Sequence, residues 1–581
     1  MVYCLQQNPP PKIPLFWMEN GSVLDDFDAA NKFNSYFANV GTDLAAMVGV
    51  STVDFKTFAP PSPAFSAAFL PTDPTELKQI ILHMKLSKSA GYDDIVASVI
   101  KASSDSIVVP LSNLINCCLQ TGCFPNALKI AKVIPIFKSG DSTVISNYRP
   151  ISILPCFSKI FETVLQVRLK SFLKLVGLPS KNQFGFQEKT STYMAIANVM
   201  EEIMTSLNNK SYSLGVFLDL AKAFDTVDHN ILIDKLSLYG IRGLALDIFK
   251  SYLCDRSQCV STTNAVSQLL PVTCGVPQGS ILGPLLFLIY IDDIKYCSQI
   301  LKFVLFADDT NIFLSSKSLD NLYSVMNSEL ELVWLWFKAN KLSLNCKKSS
   351  YMCFGRAVTK TGISHQLVIG GAPLLYSSTS RFLGVTIDDQ LNWKPHINKL
   401  ILKLNRNAGV IYKIRYKISA AVTLKLYDSM ILCHISYCSV IWAANRSASK
   451  LLKIHLIQKR VLRLVLWADR SSPSKPIFKK LHRLTIFDIY HLQLGSFMFA
   501  NLNGQTPHLL HNQFLTVYQL HSRDTRNCSQ LSVPFARTNL RMFSLSVAGP
   551  RLWNTIPTYI QLSNSVFSFK CRLKKLFLDA Y

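Results

Sequence analysis

Asp308 and Asp309 stand side by side in Phe306-Ala307-Asp308-Asp309-Thr310, between the apolar runs Phe303–Phe306 and Ile312–Leu314. Apolar segments of this length around a short acidic turn read as two paired strands. Two ionised carboxylates in so dry a setting repel each other unless a cation neutralises them. Magnesium suits such a pair, because it is a hard ion that takes one or two carboxylates together with substrate phosphates. A third carboxylate, Asp219, ends the apolar run Ser213–Leu218 and is followed by Leu220-Ala221-Lys222-Ala223-Phe224-Asp225. Between the two acidic sites lies Gly275-Val276-Pro277-Gln278-Gly279-Ser280-Ile281-Leu282-Gly283-Pro284. That run reads as a glycine-rich turn opening a helix, with Pro284 near its first turn.

The surrounding pattern supplies elements to position these groups. Thr75–Leu86 is amphipathic, Ser89–Asp93 is a loop, and Val96–Cys118 is helical in period. Ala131–Phe137 reads as a strand ending in the turn Lys138-Ser139-Gly140-Asp141. Helical stretches at Phe157–Val176 and Ser191–Leu207 precede the strand Ser213–Asp219, and a helix is expected over Asn230–Tyr239. Beyond the acidic hairpin, Leu319–Asn340 is helical, and short strands at Ser349–Phe354 and Arg381–Ile387 complete an α+β domain. From His396 to Lys417 one face is apolar while Lys399, Lys403, Arg406, Lys413 and Lys417 lie largely off it. Val422–Trp442 and Leu451–Leu466 continue in that style, which predicts a helical domain. Residues 1–72, with Pro9-Pro10-Pro11, Pro60-Pro61 and Pro63, read as a linker or the remnant of a truncated upstream region.

Charge narrows the partner. A net +25 on a chain that is still 49% hydrophobic points to a folded protein that meets a polyanion. From Lys394 to Arg483, 19 Lys and Arg residues face only Asp428 and Asp469, and no Glu follows Glu331. An acidic catalytic part followed by a basic gripping part is the organisation this polarity predicts. The 15 cysteines are scattered, the start lacks a secretion-signal pattern, and the thiols are expected to be reduced and intracellular. Cys433-His434 with Cys438, and His511, His521 and Cys528, only approach zinc spacing and read as packing residues. The most apolar run, Ile281–Ile291, is too short to span a bilayer, and no membrane association is expected.

The order of strand carboxylate, glycine-rich loop with helix, and two-carboxylate hairpin resembles the palm of reverse transcriptases. In detail, Phe217-Leu218-Asp219-Leu220-Ala221-Lys222-Ala223-Phe224-Asp225, Pro277-Gln278-Gly279-Ser280 and Phe306-Ala307-Asp308-Asp309 are similar to those of non-LTR, LINE-type and jockey-like retrotransposons. Further matches are Asn147-Tyr148-Arg149-Pro150-Ile151-Ser152, Leu342-Ser343-Leu344-Asn345-Cys346-Lys347-Lys348, Phe382-Leu383-Gly384-Val385 and Gly549-Pro550-Arg551-Leu552-Trp553-Asn554. The resemblance implies a right-hand polymerase with fingers, a palm with an antiparallel sheet and catalytic hairpin, and a helical basic thumb-like domain. It divides the chain into a linker or upstream remnant (1–72), an N-terminal finger extension (73–117), fingers and palm (118–387), a thumb-like domain (388–470) and a C-terminal region of unknown role (471–581). Tyr290-Ile291-Asp292-Asp293 also reads like the Tyr-x-Asp-Asp box of retroviral enzymes. Its place at a helix C-terminus, where the dipole disfavours negative charge, argues against it and predicts solvated helix-end residues.

Carried over residue by residue, the resemblance makes Asp219, Asp308 and Asp309 the catalytic and metal-binding carboxylates, with the backbone carbonyl of Leu220 completing the coordination of two Mg2+ ions, or Mn2+ in their place. It implies that Phe224 lies under the incoming sugar and excludes a 2′-hydroxyl, and that Gln278 and Gly279 line the base and template side. Lys138 and Arg149 are placed to meet the triphosphate, and Lys347 or Lys348 to protonate the leaving pyrophosphate. Substrates would be template RNA, primer DNA and deoxynucleoside triphosphates, with no stable protein partner. Work on genomic DNA would require the nucleus, although no clear targeting signal is present.

One segment departs from the family pattern. After Phe184-Gly185-Phe186 the family usually has Arg, a basic residue and Gly before Ser-Thr, whereas this chain has Gln187-Glu188-Lys189-Thr190-Ser191-Thr192. The exchange puts template grip and the turn of that loop in question. The stretch before the polymerase is too short for an endonuclease, and the Glu-free C-terminal part lacks the acidic cluster of a ribonuclease H. Polymerisation without either nuclease is therefore expected. The alternative is an inactive or domesticated remnant acting as an RNA-binding protein.

Overall fold

In the computed structural model, which describes residues 17–19, 22–86, 89–355, 366–444, 448–507, 514–521 and 528–581, the acidic segments fall on one sheet. Pro9–Pro11 and His511 lie outside the described residues. The principal strands in chain order are β1 (Ile130–Phe137), β2 (Tyr148–Ile153), β3 (Tyr212–Leu218), β4 (Arg256–Val260), β5 (Leu270–Val272), β6 (Lys302–Phe306), β7 (Asp309–Ser316), β8 (Ser350–Phe354) and β9 (Leu375–Tyr376). One sheet runs β9-β8-β3-β7-β6, antiparallel throughout apart from the β8–β9 edge. Another runs β2-β1-β4-β5, in the part that the resemblance assigns to the fingers. Central β3 buries every side chain from Ser213 to Leu218, as a strand covered on both faces must.

Period-2 alternation then sends β3 side chains into two different cores. Leu214, Val216 and Leu218 join the first core, and Phe217 joins the second. The helices that build these layers are α1 (Asp26–Val48), α2 (Cys156–Leu175), α3 (Thr192–Asn208), α4 (His229–Leu238), α5 (Leu282–Ile291), α6 (Leu319–Ala339), α7 (Lys394–Ile414), α8 (Ala448–Leu466) and α9 (Ile486–Leu502). On one side of the sheet, α2, α4, α5 and α6 contribute Leu165, Leu232, Leu286 and Trp336. On the other, α3 contributes Ile196 and Ile203, which pack in one cluster with Ile397, Leu404 and Ile411 of α7, with Val461 of α8 and with Met498 of α9. The C-terminal region therefore shares its apolar interior with the basic helices and with the palm sheet.

Four expectations need correction. Within residues 1–72, read as a linker, α1 is a 23-residue helix capped by Asp25, and it lays Phe33 and Phe37 against Val133, Tyr148 and Val260 of the finger sheet. Asn34 ties it down by donating to the carbonyls of Gln258 and Gln268. Arg381–Ile387 is a hairpin of β10 (Thr379–Phe382) and β11 (Val385–Asp388), because Leu383 and Gly384 both take positive φ, as a two-residue type I′ turn requires. The helical stretch over Val422–Trp442 is interrupted by a π-turn at Asp428–Leu432 and by Cys438 at φ +52°.

The fourth concerns Asp292 and Asp293, which are fully buried rather than solvated. After α5 the chain tightens into a 3-10 helix, Asp292–Cys297, that turns both carboxylates inward. Lys235 Nζ of α4 lies 2.8 Å from the Asp293 carboxylate, and Trp336 Nε1 of α6 donates to it at 3.0 Å. Asp292 accepts from the Ser180 backbone and from Lys295 Nζ. Burial pushes the Asp293 carboxyl up and the Lys235 ammonium down, while their contact opposes both changes. These acids are structural, and they are engaged away from the acidic hairpin.

Candidate functional site

The hairpin β6–β7 pairs Phe306 with Asp309 and leaves Ala307 and Asp308 as its two-residue turn. Ala307 takes φ +54°, a left-handed conformation that an alanine does not adopt without support. Support comes from Gln183, whose Oε1 accepts from the backbone N–H of Ala307 at 2.9 Å and of Gly185 at 2.8 Å. A Cβ at Gly185 would sit 2.4 Å from the Ala307 nitrogen, so only glycine allows this approach. Sequence reasoning missed Gln183, although it directly precedes the Phe184-Gly185-Phe186 match.

Strand register brings the third carboxylate to the same place. Leu218 of β3 pairs with Thr310 of β7, so Asp219 emerges one residue beyond the pair, beside the Asp308–Asp309 turn. The segment Leu342–Lys348 braces that exit: Leu220 bridges Leu344, Ala221 N–H donates to Ser343, and Asn345 N–H donates to the Asp219 carbonyl at 2.8 Å. Ser349 Oγ accepts from the Asp219 N–H. Asp308 and Asp309 are open to solvent, yet protein crowds them. Burial, with Asp219 added, raises the Asp308 carboxyl; burial, Asp308 and Asp219 raise Asp309 to about 6.

Cations face this acidic group from three other segments. Lys138 follows β1, Arg149 lies on β2, and Lys348 lies in the brace; all three are exposed and, among the described residues, make no ion pair. Burial, Arg149 and Lys348 together lower the Lys138 ammonium, while Asp219 and Asp308 pull it back up. Lys222, not singled out from the sequence, joins them: it donates to the Tyr148 carbonyl at 3.2 Å and lies 5.6 Å from the Tyr36 ring centroid of α1. Its position between Asp219 and Asp225 was a usable signal. The acidic group and the cations thus form two opposed linings, one suited to a hard cation and the other to a polyphosphate.

The glycine-rich loop is held from behind. Gln278 Nε2 donates to both oxygens of Asp225, at 2.8 and 3.0 Å, so its amide is committed to that carboxylate. Burial raises Asp225 to about 6 against the pull of Gln278 and Lys222. Gly279, at φ +135°, would drive a Cβ to 2.3 Å from the Ser152 carbonyl. Glu162 of α2, fully buried and without a sequence signal, caps α5 by accepting from Ile281 and Leu282 N–H. Phe224 is half-buried, stacked on Phe287 at 4.5 Å between centroids, and met edge-on by the exposed ring of Phe186. In the departing segment, Gln187 turns inward to the Gln183 carbonyl and Lys189 takes the left-handed conformation, φ +58°, that a glycine would supply.

A strand-end carboxylate stands beside an acidic hairpin, under a rim of cations and on one sheet, an arrangement suited to metal-assisted chemistry on a polyphosphate. Residues 136–387 match the family described as reverse transcriptase (RNA-dependent DNA polymerase). The chain is similar to the probable RNA-directed DNA polymerase from transposon X-element of Drosophila melanogaster, 28% identical over 426 residues, which cover 72% of this chain and 46% of that protein. It is also similar to the RNA-directed DNA polymerase from mobile element jockey of Drosophila melanogaster, 29% identical over 418 residues, covering 70% and 45%. The chain spans about half the length of these curated relatives. Among solved structures, apo telomerase from Candida Tropicalis aligns at 12% identity with a TM-score of 0.35, over 66% of this chain and 67% of that one.

Proposed function

We propose that the chain is an RNA-directed DNA polymerase that adds deoxynucleotides to a primer 3′-hydroxyl on an RNA template. The observation that carries this reading is the register that sets Asp219 beside Asp308 and Asp309, opposite Lys138, Arg149 and Lys348.

The residues fit a divalent ion in their chemistry. The raised carboxyls of Asp308 and Asp309 reflect burial and mutual repulsion, with no lysine or arginine in ion-pair contact among the described residues. Among those residues no three acidic, His or Cys side chains are grouped closely enough to hold an ion by themselves. Such a set suits magnesium, or manganese, which completes its shell from substrate oxygens. Asp219, Asp308 and Asp309 with the Leu220 carbonyl would hold it. Two such ions, when bound, supply charge neutralisation at the attacking and leaving oxygens of phosphoryl transfer.

The chain's own residues do the rest. Arg149 offers a planar fork and Lys138 a point charge to the triphosphate, fixing its α-phosphate for in-line attack. Lys348, close enough to Lys138 to lower its ammonium, would neutralise or protonate the departing pyrophosphate. Phe224, held by its stack on Phe287, would exclude a ribose 2′-hydroxyl by its bulk. Gln278, by holding Asp225, keeps the glycine-rich loop at the height the base pair needs. Extension of a genomic primer would place this activity in the nucleus.

Primer extension on an RNA template with magnesium tests the reading. Incorporation by the parent chain and its loss in Asp308→Ala are expected. A chain that binds template yet incorporates nothing, with either ion and across templates, is a remnant that binds RNA.

A further inference from the structure

Helices α7 and α8 lie side by side and run the same way, since Asn405 meets Arg460 near their middles and Tyr416 meets Trp467 beyond their ends. At that end Arg415 is enclosed by three rings: its guanidinium carbon lies 4.0 Å from the Tyr412 centroid, 4.5 Å from Tyr416 and 5.3 Å from Trp467. The three residues are nonetheless exposed, at 50%, 65% and 57%. Single exposed aromatics are ordinary; three clustered around one cation are not. Arg415 Nε and Nη1 are shielded from water and find no hydrogen-bond partner among the described residues.

Beside the cluster is a cavity of about 770 Å3, within the range that holds a nucleotide-sized ligand. Asn405, Gly409, Tyr412, Arg460, Arg463 and Arg470 line it, and no carboxylate does. Two helix C-termini converge here and would by themselves repel an anion. Four arginines reverse that sign, with exposed Asp469 the adjacent acid in sequence. The basic stripe Lys399, Lys403, Arg406 and Lys413 lies roughly 100° around α7 from Asn405, Gly409 and Tyr412, so this is a separate face. The 21 residues of α7 carry it about 30 Å along the helix from Lys394.

We propose that this cluster is a binding site for an unpaired nucleic-acid strand, with a base stacked on the exposed faces of Tyr412, Tyr416 or Trp467 and its phosphates on Arg460, Arg463 and Arg470. Aromatic faces interleaved with arginines grip single strands, whose bases are free to stack, and gain nothing from bases already stacked in a duplex. The site does not depend on catalysis, so a chain inactive in primer extension would retain it.

Fluorescence anisotropy of the full chain with labelled oligouridine, oligothymidine and a blunt RNA duplex tests the proposal. Trp467→Ala and Tyr416→Ala are each expected to weaken single-strand binding roughly 5- to 100-fold, leaving duplex binding and melting temperature unchanged. Trp467→Phe should retain most of the affinity. The aromatic variants should keep the parent's slope of log affinity against log salt, whereas Arg470→Gln should lower it by about 0.7. Weakening on RNA alone, on DNA alone or on both supports the site and identifies the sugar it accepts. Unchanged binding to both single strands, or equal loss for single strands and duplex, overturns it.

Discussion

Gln183 and Ala307 are joined by a 2.9 Å hydrogen bond in which a buried side-chain oxygen fixes the backbone of the turn that carries Asp308. Replacing Gln183 by leucine, similar in size, removes the acceptor from two backbone N–H groups at once. A loss of about 1–3 kcal/mol in unfolding free energy is expected for the buried donors left unmet. Primer-extension kcat should fall more than KM rises, because the substrate-facing cations are untouched; an unchanged kcat would refute a positioning role.

Asp309 makes stability depend on pH with a definite sign. Its folded value of about 6 exceeds its ordinary 3.8, so the folded chain holds the proton more tightly than the unfolded one. The resulting stabilisation is complete below the ordinary value and vanishes as pH rises through about 6. In chelator, melting temperature should therefore decline over that window, and Asp309→Asn should flatten part of the decline. Asp225 shares the same window, so the difference between parent and variant isolates Asp309. Magnesium should raise the parent's melting temperature at neutral pH more than the variant's.

Phe224 is predicted to govern sugar selection. Phe224→Val removes the ring edge but keeps a branched apolar side chain against Phe287. Discrimination between deoxynucleotides and ribonucleotides, measured as the ratio of their kcat/KM values, should drop about 10- to 100-fold. If the ratio stays fixed while both rates fall together, the ring is packing and nothing more.

Gly41 of α1 is pressed against the loop that follows Asp219: a Cβ there would lie 1.9 Å from the Asp225 carbonyl oxygen. Gly41→Val should displace Asp225, weaken its hold on Gln278 and reduce primer extension by at least about tenfold, the scale on which small misplacements act. Gly49, whose Cβ would meet nothing within 4 Å, is the control at the end of the same helix. Although its positive φ adds local strain, Gly49→Ala should leave the catalytic rate near the parent's.

The buried pair Lys235–Asp293 yields a stability test. Lys235→Met alone strands a carboxylate and should cost about 3–5 kcal/mol in unfolding free energy; Lys235→Met with Asp293→Leu should recover much of it. A double variant no more stable than the single would mean that the pair contributes beyond mutual neutralisation.

The placement of the acidic group was legible because its signals are local. Asp308-Asp309 between apolar runs announces a hairpin, and Asp219 at the end of an unbroken apolar strand announces a carboxylate aimed out of a sheet. Asp293 was not legible, since what decides its fate lies 58 residues away at Lys235 and 43 residues away at Trp336. Local dipole reasoning put it in water, and tertiary donors put it in the core. For α1 the signal was present: Asp25 as cap followed by Ala29, Phe33 and Phe37 at helical spacing, overlooked beside the nearby prolines. Glu162 left no local trace, because it caps a helix more than a hundred residues downstream. Gly384 is a turn residue in plain view, and reading it as one would have divided Arg381–Ile387 correctly.

Phe217, Phe313 and Phe354 of the palm sheet, Ile411 of α7 and Leu578 near the C-terminus belong to a single apolar cluster. A jaw needs a dry seam that parts and re-forms at small cost, and no such seam runs between these parts. Swinging the basic helices away from the sheet would wet aromatic rings on both sides at once. Any change of angle between the basic helices and the sheet therefore carries the cost of opening one shared interior.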